Sequence, residues 1–427
     1  LDRAHDEAAG GTRADLLLPR AQRELHDPWV GRPAAGLKTG PAGSAGCQGP
    51  RAGPARAPGT IAAVRSAVRV LAAVGALMAA GAASAAASPP PAVDASAYIL
   101  VDPHTGEVLA RKGPALRLPM ASTTKMMTAL LVLERARLDD VVTVPADAAA
   151  VGESSADLVP GEQLTVRDLL AGLLVGSGND AAVTLAEHVG GSQAAFVDMM
   201  NARARSLGLT RTHYANPHGL DAPGHYSTVR DMVRLGRALM RYPLVRDLVD
   251  RRTVELPGAF GGPTRTLESE NTLLDLMPEA DGIKTGHTSG AGYALVAHAS
   301  RPRVGVDLYA AVIGSPSEDE RAADMDRLLT WGLDQYARPT VIPTAQVTTA
   351  TVRDRPGVRV PLRVARPLVA TVRLGRPLSQ TIVAPGEVIG PVRAGQRVGR
   401  IVVRQDGRVV GARDLVAARA VSGPSVA

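Results

Sequence analysis

Three short polar motifs follow one another along the chain, and each contains residue types that serve nucleophilic catalysis. A serine hydroxyl attacks a carbonyl carbon effectively only when a neighbouring base accepts its proton. A lysine can be that base if burial keeps its amine neutral. In chain order the motifs are Ser122-Thr123-Thr124-Lys125, Ser177-Gly178-Asn179 and Lys284-Thr285-Gly286. The ordered set predicts a serine nucleophile with a lysine base.

Each motif taken alone also has an ordinary structural interpretation. A serine often caps a helix, Ser-Gly-Asn suits a turn, and Lys-Thr-Gly can lead into a strand. Two chance copies, Lys38-Thr39-Gly40 and Ser269-Glu270-Asn271, lie at positions that do not fit a three-part site. The Ser-x-x-Lys spacing, however, occurs once, and two of only four lysines lie in the motifs. The prediction therefore depends on the combination.

The spacing of the first motif predicts the roles of Ser122 and Lys125. If a helix begins near Ser122, both side chains lie on one face, with Cβ atoms about 5 to 6 Å apart. Burial beside Met126 and Met127 would lower the pKa of Lys125, so that its free amine accepts the serine proton. A helix N-terminus would also stabilise negative charge that develops at Ser122.

The other two motifs offer groups that bind substrate or transfer protons. Asn179 is expected to donate to a substrate carbonyl, and Ser177 is expected to pass a proton toward the leaving group. Lys284, Thr285 and Gly286 offer a cation, a hydroxyl and room for close backbone approach. These three residues suit the terminal carboxylate of a substrate.

Helical patterns surround the first two motifs and dominate from about residue 122 to residue 250. Thr165-Val166-Arg167-Asp168 has the form of a capping box, and leucines at helical spacing follow it. A loop at 176–179 should then separate two helices. Ser177 and Asn179 would both lie on that loop.

Strand patterns occur at both ends of this helical region. One hairpin is predicted over residues 98–110, and a second has strands at 293–299 and 304–313. A helix containing Leu328 and Trp331 should close the region. The motifs would therefore lie in a domain that mixes helices with a sheet.

Bulk composition limits the classes of protein to which the chain could belong. With 427 residues, the chain has room for two to three domains. Hydrophobic residues make up 45% but aromatic residues only 3%, so Ala, Val and Leu must fill the core. The net charge is +7, but the basic residues are scattered among acidic ones, and no aromatic residues are interleaved with them. This pattern predicts no nucleic-acid partner.

Cysteine and histidine usage predicts that the protein needs no metal or other cofactor. The single cysteine, Cys47, cannot form a disulfide framework or a Cys-x-x-Cys metal site. His213, His218 and His225 are close together in sequence, but their spacing fits no compact zinc signature. We interpret them as loop histidines.

The chain divides into four predicted regions. Residues 1–63 are expected to be disordered or to derive from wrongly translated upstream sequence. Residues 64–87 have the order of a secretory signal peptide: basic, then apolar, then small residues of A-x-A form. A short membrane anchor is the alternative for this segment. A catalytic domain at 94–340 and a β-rich domain at 345–421 follow, joined at a linker marked by prolines.

Five segments resemble serine-type D-alanyl-D-alanine carboxypeptidases, the low-molecular-weight penicillin-binding proteins. The resemblance extends from about residue 94 to residue 340, and more loosely over 345–421. The segments are Pro119 to Leu130, Ser177 to Ala182, Asn216 to Leu220, Asp281 to Thr288, and Leu328 to Gly332.

The resemblance implies an α/β (α+β) fold, the penicillin-recognising serine hydrolase fold, with an antiparallel sheet packed between helices. A small all-β domain would follow. The three motifs would line one cleft. Backbone N–H groups of Ser122 and His287 would form the oxyanion hole. Arg321 would help to hold the substrate carboxylate.

The function that the resemblance implies is hydrolysis of the terminal D-Ala-D-Ala bond of peptidoglycan stem peptides through a Ser122 acyl-enzyme. β-Lactam antibiotics would acylate the same serine. The protein would be exported to the cell wall or the outer face of the cytoplasmic membrane, with peripheral association there as a further expectation. The C-terminal segment shows no amphipathic pattern, so anchoring through a C-terminal helix is not expected.

One segment departs from the family pattern. Before Lys-Thr-Gly the family often shows Asn-x-Asn-x-Leu-Leu, whereas this chain has Ser269-Glu270-Asn271-Thr272-Leu273-Leu274. The departure argues against a second cationic anchor for the substrate at this position.

Three other functions compete with the carboxypeptidase interpretation. A class A β-lactamase would need a deacylating Glu in an E-x-x-x-N segment, and none occurs between the second and third motifs. Endopeptidase or transpeptidase action on the same bonds would use the same residues. A non-catalytic wall-binding scaffold is disfavoured because all three motifs are intact.

Overall fold

The computed structural model describes residues 88–423. The predicted N-terminal extension and signal peptide, at 1–63 and 64–87, lie outside the described residues. Within 88–423, no helix combines the length and apolar character needed to cross a bilayer. The predicted domain boundaries remain predictions.

A five-stranded antiparallel sheet forms the centre of the region that carries the motifs. Its strand order is β2-β1-β9-β8-β7, which makes β7 an edge strand. The predicted hairpins at 98–110 and 293–313 are confirmed, since β1 pairs with β2 and β8 pairs with β9. The strands are β1 (Ala97–Val101), β2 (Val108–Lys112), β7 (Ala280–Thr288), β8 (Gly292–Arg301) and β9 (Val306–Ser315).

Nine α-helices are present within residues 88–423. They are α1 (Lys125–Arg135), α2 (Ala146–Ala149), α3 (Val166–Leu174), α4 (Asn179–Gly190), α5 (Gln193–Ser206), α6 (Val229–Leu239), α7 (Pro243–Val249), α8 (Leu273–Leu276) and α9 (Glu318–Leu333). The predicted capping box is confirmed at the start of α3, where the Thr165 side chain accepts from the Asp168 N–H at 3.1 Å. The predicted closing helix is α9.

Helices cover both faces of the central sheet. Because successive strand residues point to opposite faces, Leu295 and Val296 of β8 contact different layers. Leu295 belongs to the core cluster that also contains Leu328 of α9. Val296 lies against α6, where a Cβ on Gly236 would come within 3.0 Å of its side chain. This is the predicted antiparallel sheet packed between helices.

Four short strands interrupt or follow the region in which helical patterns dominate. They form two hairpins and are β3 (Val141–Thr143), β4 (Gln163–Thr165), β5 (Thr253–Leu256) and β6 (Arg265–Glu268). The sequence analysis did not predict them, because segments of three or four residues are too short to establish a period of two.

A six-stranded sheet dominates the C-terminal region, in the order β16-β18-β19-β13-β12-β17. Its core is mostly valine, leucine and alanine, as predicted. A turn at Asp406-Gly407 joins β18 to β19, and both residues have positive φ, 49° and 78°, as a two-residue hairpin turn of this type requires. The strands are β12 (Gln346–Val352), β13 (Arg355–Val364), β16 (Leu378–Val383), β17 (Glu387–Val388), β18 (Arg397–Gln405) and β19 (Arg408–Ala417).

The proline-marked segment expected to be a linker is partly paired. Short strand β10 (Tyr336–Ala337) pairs with β15 (Val372–Arg373), and β11 (Thr340–Ile342) pairs with β14 (Leu368–Val369). These pairings connect the chain after α9 to the C-terminal β region. They depend on residues about 30 positions later, so local composition could not predict them.

Candidate active site

Ser122 lies in a tight turn directly before α1. The turn is a 3₁₀ segment, Ala121–Thr124, that continues into the α-helix at Lys125, close to the predicted helix start. Ala121 has φ 48°, a left-handed conformation that side chains other than glycine adopt rarely. Such backbone strain is often found at functional sites.

Two glycines allow other segments to approach this turn closely. A Cβ on Gly219, whose φ is 109°, would lie 2.1 Å from the carbonyl oxygen of Ala121. A Cβ on Gly286 would lie 2.8 Å from the backbone nitrogen of Ser122. Glycine is therefore required at both positions for the backbone of β7 and the 216–220 segment to contact the turn.

Lys125 is completely buried, and its Nζ is surrounded by three oxygen atoms. These are Ser122 Oγ at 2.8 Å, Asn179 Oδ1 at 2.6 Å and the His218 carbonyl oxygen at 2.9 Å. Burial, together with the nearby Lys284 cation, lowers the pKa of Lys125 well below its usual value. A neutral amine has two N–H donors and one lone pair. The two N–H groups can donate to Asn179 Oδ1 and the His218 carbonyl oxygen, so the lone pair can accept from the Ser122 hydroxyl.

Asn179 is the first residue of α4, whereas the sequence analysis placed it on the preceding loop. Its backbone N–H donates to the Ser154 carbonyl oxygen at 2.9 Å, and its Nδ2 donates to the Gly152 carbonyl oxygen at 2.9 Å. These bonds turn Oδ1 toward Lys125. One Nδ2 hydrogen remains for another acceptor, as the predicted donation to a substrate carbonyl requires.

Ser177 lies on the loop before α4, as predicted, and is almost fully buried with φ 57°. Its Oγ accepts from Lys284 Nζ at 3.0 Å. Lys284 Nζ also lies 3.2 Å from the carbonyl oxygen and 3.4 Å from Oγ1 of Thr285. Burial lowers the pKa of Lys284 to about 8.

The Lys-Thr-Gly motif lies inside β7, a strand that the sequence analysis did not predict, since its first strand after the motif begins at residue 293. Lys284, Thr285 and Gly286 are register partners of Val296, Leu295 and Ala294 in β8. That pairing with the next strand extends β7 through the motif. The motif is therefore held on the edge strand of the sheet, next to the nucleophile turn.

Asp180, which the sequence analysis did not single out, holds the segment opposite Lys125. Its carboxylate accepts from the backbone N–H groups of Ala156 at 2.9 Å and Leu158 at 3.1 Å, and from Ser155 Oγ at 2.7 Å. The same segment supplies the carbonyl groups that bind Asn179. An acidic residue directly after Ser-Gly-Asn was the only signal for this role, and it is equally typical of a helix first turn.

Three histidines near the cleft take part in separate hydrogen bonds. His225 Nδ1 accepts from the Ala215 N–H at 2.9 Å, so its Nε2 donates to Thr124 Oγ1 at 2.8 Å. Burial lowers the pKa of His225, and that of His218, to about 4. His213 Nδ1 donates to the Gly224 carbonyl oxygen at 2.8 Å. His225 and His218 are therefore neutral near pH 7.

His287 follows the Lys-Thr-Gly motif within β7, and Arg321 lies in α9; both are close to Tyr293 of β8. The His287 ring stacks on Tyr293 with centroids 4.1 Å apart, and the Arg321 guanidinium lies 5.8 Å from the Tyr293 ring centre. Arg321 is 2% exposed, and its Nη2 donates to Glu318 at 2.8 Å and to the Glu270 carbonyl oxygen at 2.7 Å. Its charge is near enough to Lys284 to lower the pKa of that amine.

The three motifs thus meet at one place, although they are distant in sequence. Lys125 contacts Ser122 and Asn179, Lys284 contacts Ser177 and Thr285, and Gly286 lies against the Ser122 backbone. A serine next to a buried amine of depressed pKa, on a sheet packed between helices, defines a penicillin-recognising serine hydrolase.

Comparison with known proteins identifies the family. The family described as D-alanyl-D-alanine carboxypeptidase matches residues 83–317, and the chain belongs to it. A curated relative is the D-alanyl-D-alanine carboxypeptidase DacC of Escherichia coli, 36% identical over 76% of this chain and 84% of that protein.

Solved structures agree with this assignment. The D-alanyl-D-alanine carboxypeptidase DacD from Francisella tularensis matches with a TM-score of 0.58 and 25% identity, over 80% of this chain and 98% of that one. The Streptomyces K15 DD-transpeptidase matches with a TM-score of 0.55 and 31% identity, over 58% of this chain and 100% of that one. The predicted family and fold class are confirmed.

Proposed function

We propose that the protein removes the terminal D-Ala from peptidoglycan stem peptides that end in D-Ala-D-Ala, and that β-lactams acylate the same serine. The observation that carries the proposal is the Lys125 amine, fully buried and 2.8 Å from Ser122 Oγ. Family membership supports the bond specificity. A peptidoglycan substrate lies outside the cytoplasm, so the function also requires export, for which residues 64–87 are the predicted signal.

Acylation would begin when Ser122 Oγ attacks the carbonyl carbon of the penultimate D-Ala while Lys125 accepts the hydroxyl proton. The backbone N–H groups of Ser122 and His287 would stabilise the resulting oxyanion. When the C–N bond breaks, the proton would return through Ser177 to the nitrogen of the departing D-Ala. Water would then hydrolyse the ester and regenerate the Ser122 hydroxyl.

The substrate carboxylate would bind at the Lys-Thr-Gly strand. Lys284 supplies the charge and Thr285 a hydroxyl, while Gly286 lets the strand lie against the nucleophile turn. Arg321 would add a second charge to the same carboxylate. Asn179 would donate its remaining Nδ2 hydrogen to a carbonyl of the acyl portion.

Mass spectrometry of products from a pentapeptide ending in D-Ala-D-Ala tests this function. The expected product is a tetrapeptide with one free D-Ala, and Ser122→Ala should give neither. Transpeptidation is the second candidate, favoured by the likeness to the Streptomyces DD-transpeptidase. Adding a D-amino acid acceptor distinguishes the two: an exchanged C-terminal residue as the main product would overturn hydrolysis as the principal reaction.

Replacing Lys284 with arginine should move the alkaline limb of the pH profile of kcat/KM to higher pH. The pKa of Lys284 is about 8, so its charge, and with it the carboxylate anchor, is lost as the pH rises through that value. Arginine keeps its charge, although its planar guanidinium fits the lysine site less well and should lower the maximum. The measurement is kcat/KM from pH 6 to 10. If the alkaline limb is unchanged in Lys284→Arg, then a group other than Lys284 causes the loss of kcat/KM at high pH.

Replacing Arg321 with alanine should lower kcat/KM by roughly 10- to 200-fold, since a charge-assisted hydrogen bond contributes about 1.5 to 3 kcal/mol. The loss should shrink for a substrate amidated at its C-terminus, because the partner charge is then absent. Equal losses on both substrates would contradict carboxylate binding. They would instead indicate that Arg321 acts by holding Glu318 and the Glu270 backbone.

A further inference from the structure

The C-terminal β region, residues 336–423, is strongly basic. It contains 15 arginines and no lysine, against only four acidic residues. Residues 88–335 have the opposite balance, with 31 acidic residues and 23 lysines and arginines. A basic region next to an acidic one in the same chain indicates attraction of the basic region to an anionic partner.

One face of the six-stranded sheet points away from the core of the β region. Successive residues of a strand point to opposite faces, and residues two apart share a face. In β18, Ile401 and Val403 belong to the core cluster and Val402 does not. Arg400 and Arg404 therefore share the outer face with Val402.

Strand β13 adds two arginines to the same face. The even-numbered residues of 360–364 belong to the core cluster, so Arg359 and Arg363 lie on the outer face. Arg363 is the register partner of Val416 in β19, and Val416 is the register partner of Arg397 in β18. Because directly paired residues share a face, Arg397 also lies on the outer face.

The five arginines of this face form a continuous stripe. Both β13 and β18 are antiparallel to β19, so they run in the same direction, and the stripe continues from one strand to the other. Four residues of a strand span about 13 Å, and two strand spacings are about 10 Å. The stripe is therefore narrow and roughly 30 Å long. Its members, from one end to the other, are Arg359, Arg363, Arg397, Arg400 and Arg404.

Most charges of the arginine stripe are unpaired. Arg397 pairs with Asp414 at 3.0 Å. Within residues 88–423, no hydrogen bond or ion pair engages the guanidinium groups of the other four stripe arginines. Asp414 is the only carboxylate in strands β13, β16, β18 and β19. Four positive charges of the stripe are therefore available to a partner.

We propose that the arginine stripe binds a linear polymer of the cell wall whose repeating units are linked by phosphodiesters. A guanidinium group binds phosphate oxygens through paired N–H donors. One polymer chain lying along the stripe would reach arginines that are about 10 to 13 Å apart, which a single small anion cannot bridge. The choice of a wall polymer rests on the proposed function, because that function places the protein at the wall.

The shape of the charged surface favours a single chain over a flat anionic surface such as a bilayer. Uncharged residues flank the stripe on both sides of the outer face: Thr349 and Thr351 in β12, and Thr381 and Val383 in β16. A bilayer would cover these flanks as well as the stripe. A single extended chain follows the line of charge and leaves the flanks uncovered.

A triple variant of the stripe, with Arg359→Gln, Arg363→Gln and Arg400→Gln, tests the proposal in the whole protein. Binding to immobilised poly(glycerol phosphate) is measured at several salt concentrations. The triple variant should bind roughly tenfold or more weakly than the wild-type protein at low salt. The slope of log K against log salt should fall by about 2, since each phosphate contact on a flexible strand contributes about 0.7.

A second triple variant, with Arg338→Gln, Arg366→Gln and Arg408→Gln, is the matched control. It removes the same charge from three exposed arginines of the β region that lie outside the stripe. General attraction to a basic protein would weaken binding equally in both triple variants, whereas binding along the stripe leaves the control near the wild-type affinity. Thermal unfolding of both variants verifies that they fold.

Flotation with vesicles that contain phosphatidylglycerol distinguishes the polymer from a bilayer. Binding to the polymer that is weakened only in the stripe variant supports the proposal. The proposal is overturned if wild-type protein does not bind the polymer, if both triple variants lose binding equally, or if stripe-dependent binding occurs only with the vesicles. These measurements do not involve catalysis, so release of D-Ala from the pentapeptide remains a separate test of the proposed function.

Discussion

Replacing Ser122 with alanine should eliminate both penicillin acylation and release of D-Ala, lowering turnover by roughly 10⁴- to 10⁶-fold. Ser177 cannot substitute, because it lies on a different loop and its Oγ accepts from Lys284. The measurement is covalent labelling by a fluorescent penicillin, together with assay of free D-Ala.

Thermal unfolding provides the control for Ser122→Ala. The Ser122 hydroxyl contacts Lys125 Nζ at 2.8 Å, and losing one such bond should change the free energy of unfolding by about 1 kcal/mol or less. A folded Ser122→Ala protein that still reacts covalently with penicillin would remove Ser122 from the role of nucleophile.

Replacing Lys125 with methionine should slow acylation by roughly 10²- to 10⁴-fold, the usual contribution of a general base. Methionine fills most of the lysine volume without the amine, so the loss reports chemistry rather than a cavity. The measurement is the second-order rate constant for penicillin acylation. In the wild-type protein this rate should fall as the pH drops through the depressed pKa of Lys125, because the protonated amine cannot accept the serine proton.

Lys112→Met is the matched control for Lys125→Met. Lys112 donates to the Ala95 carbonyl oxygen at 2.9 Å and lies outside the cleft, so its replacement should leave acylation unchanged. Acylation by Lys125→Met within about tenfold of the wild-type rate would show that another group accepts the proton.

Local patterns in the sequence were sufficient to predict several elements. The capping box at Thr165 and Asp168 was predicted because its two bonds span only three residues. The hairpins were predicted because each joins strands that are neighbours in sequence. The Ser122 and Lys125 pair belongs to the same group, since one helical turn brings both side chains together.

Contacts between distant residues could not be predicted in the same way. Whether Lys284 reaches Ser177, 107 residues away, depends on β7 being the edge strand that faces the loop before α4. The role of Asp180 was missed because the backbone N–H groups that it binds lie on a loop with no regular pattern. The partners of Arg321 also depend on how α9 packs near the Glu270 segment.

The sequence by itself determined which residue types are available, in what order, and which helices and hairpins form locally. Tertiary structure alone decided that three motifs form one cleft and that Lys125 is completely buried. The physical reason is that periodicity and capping are properties of neighbouring residues, whereas a pKa depends on everything packed around the group. The depressed pKa of Lys125 therefore results from the fold, although Ser-x-x-Lys specifies its position.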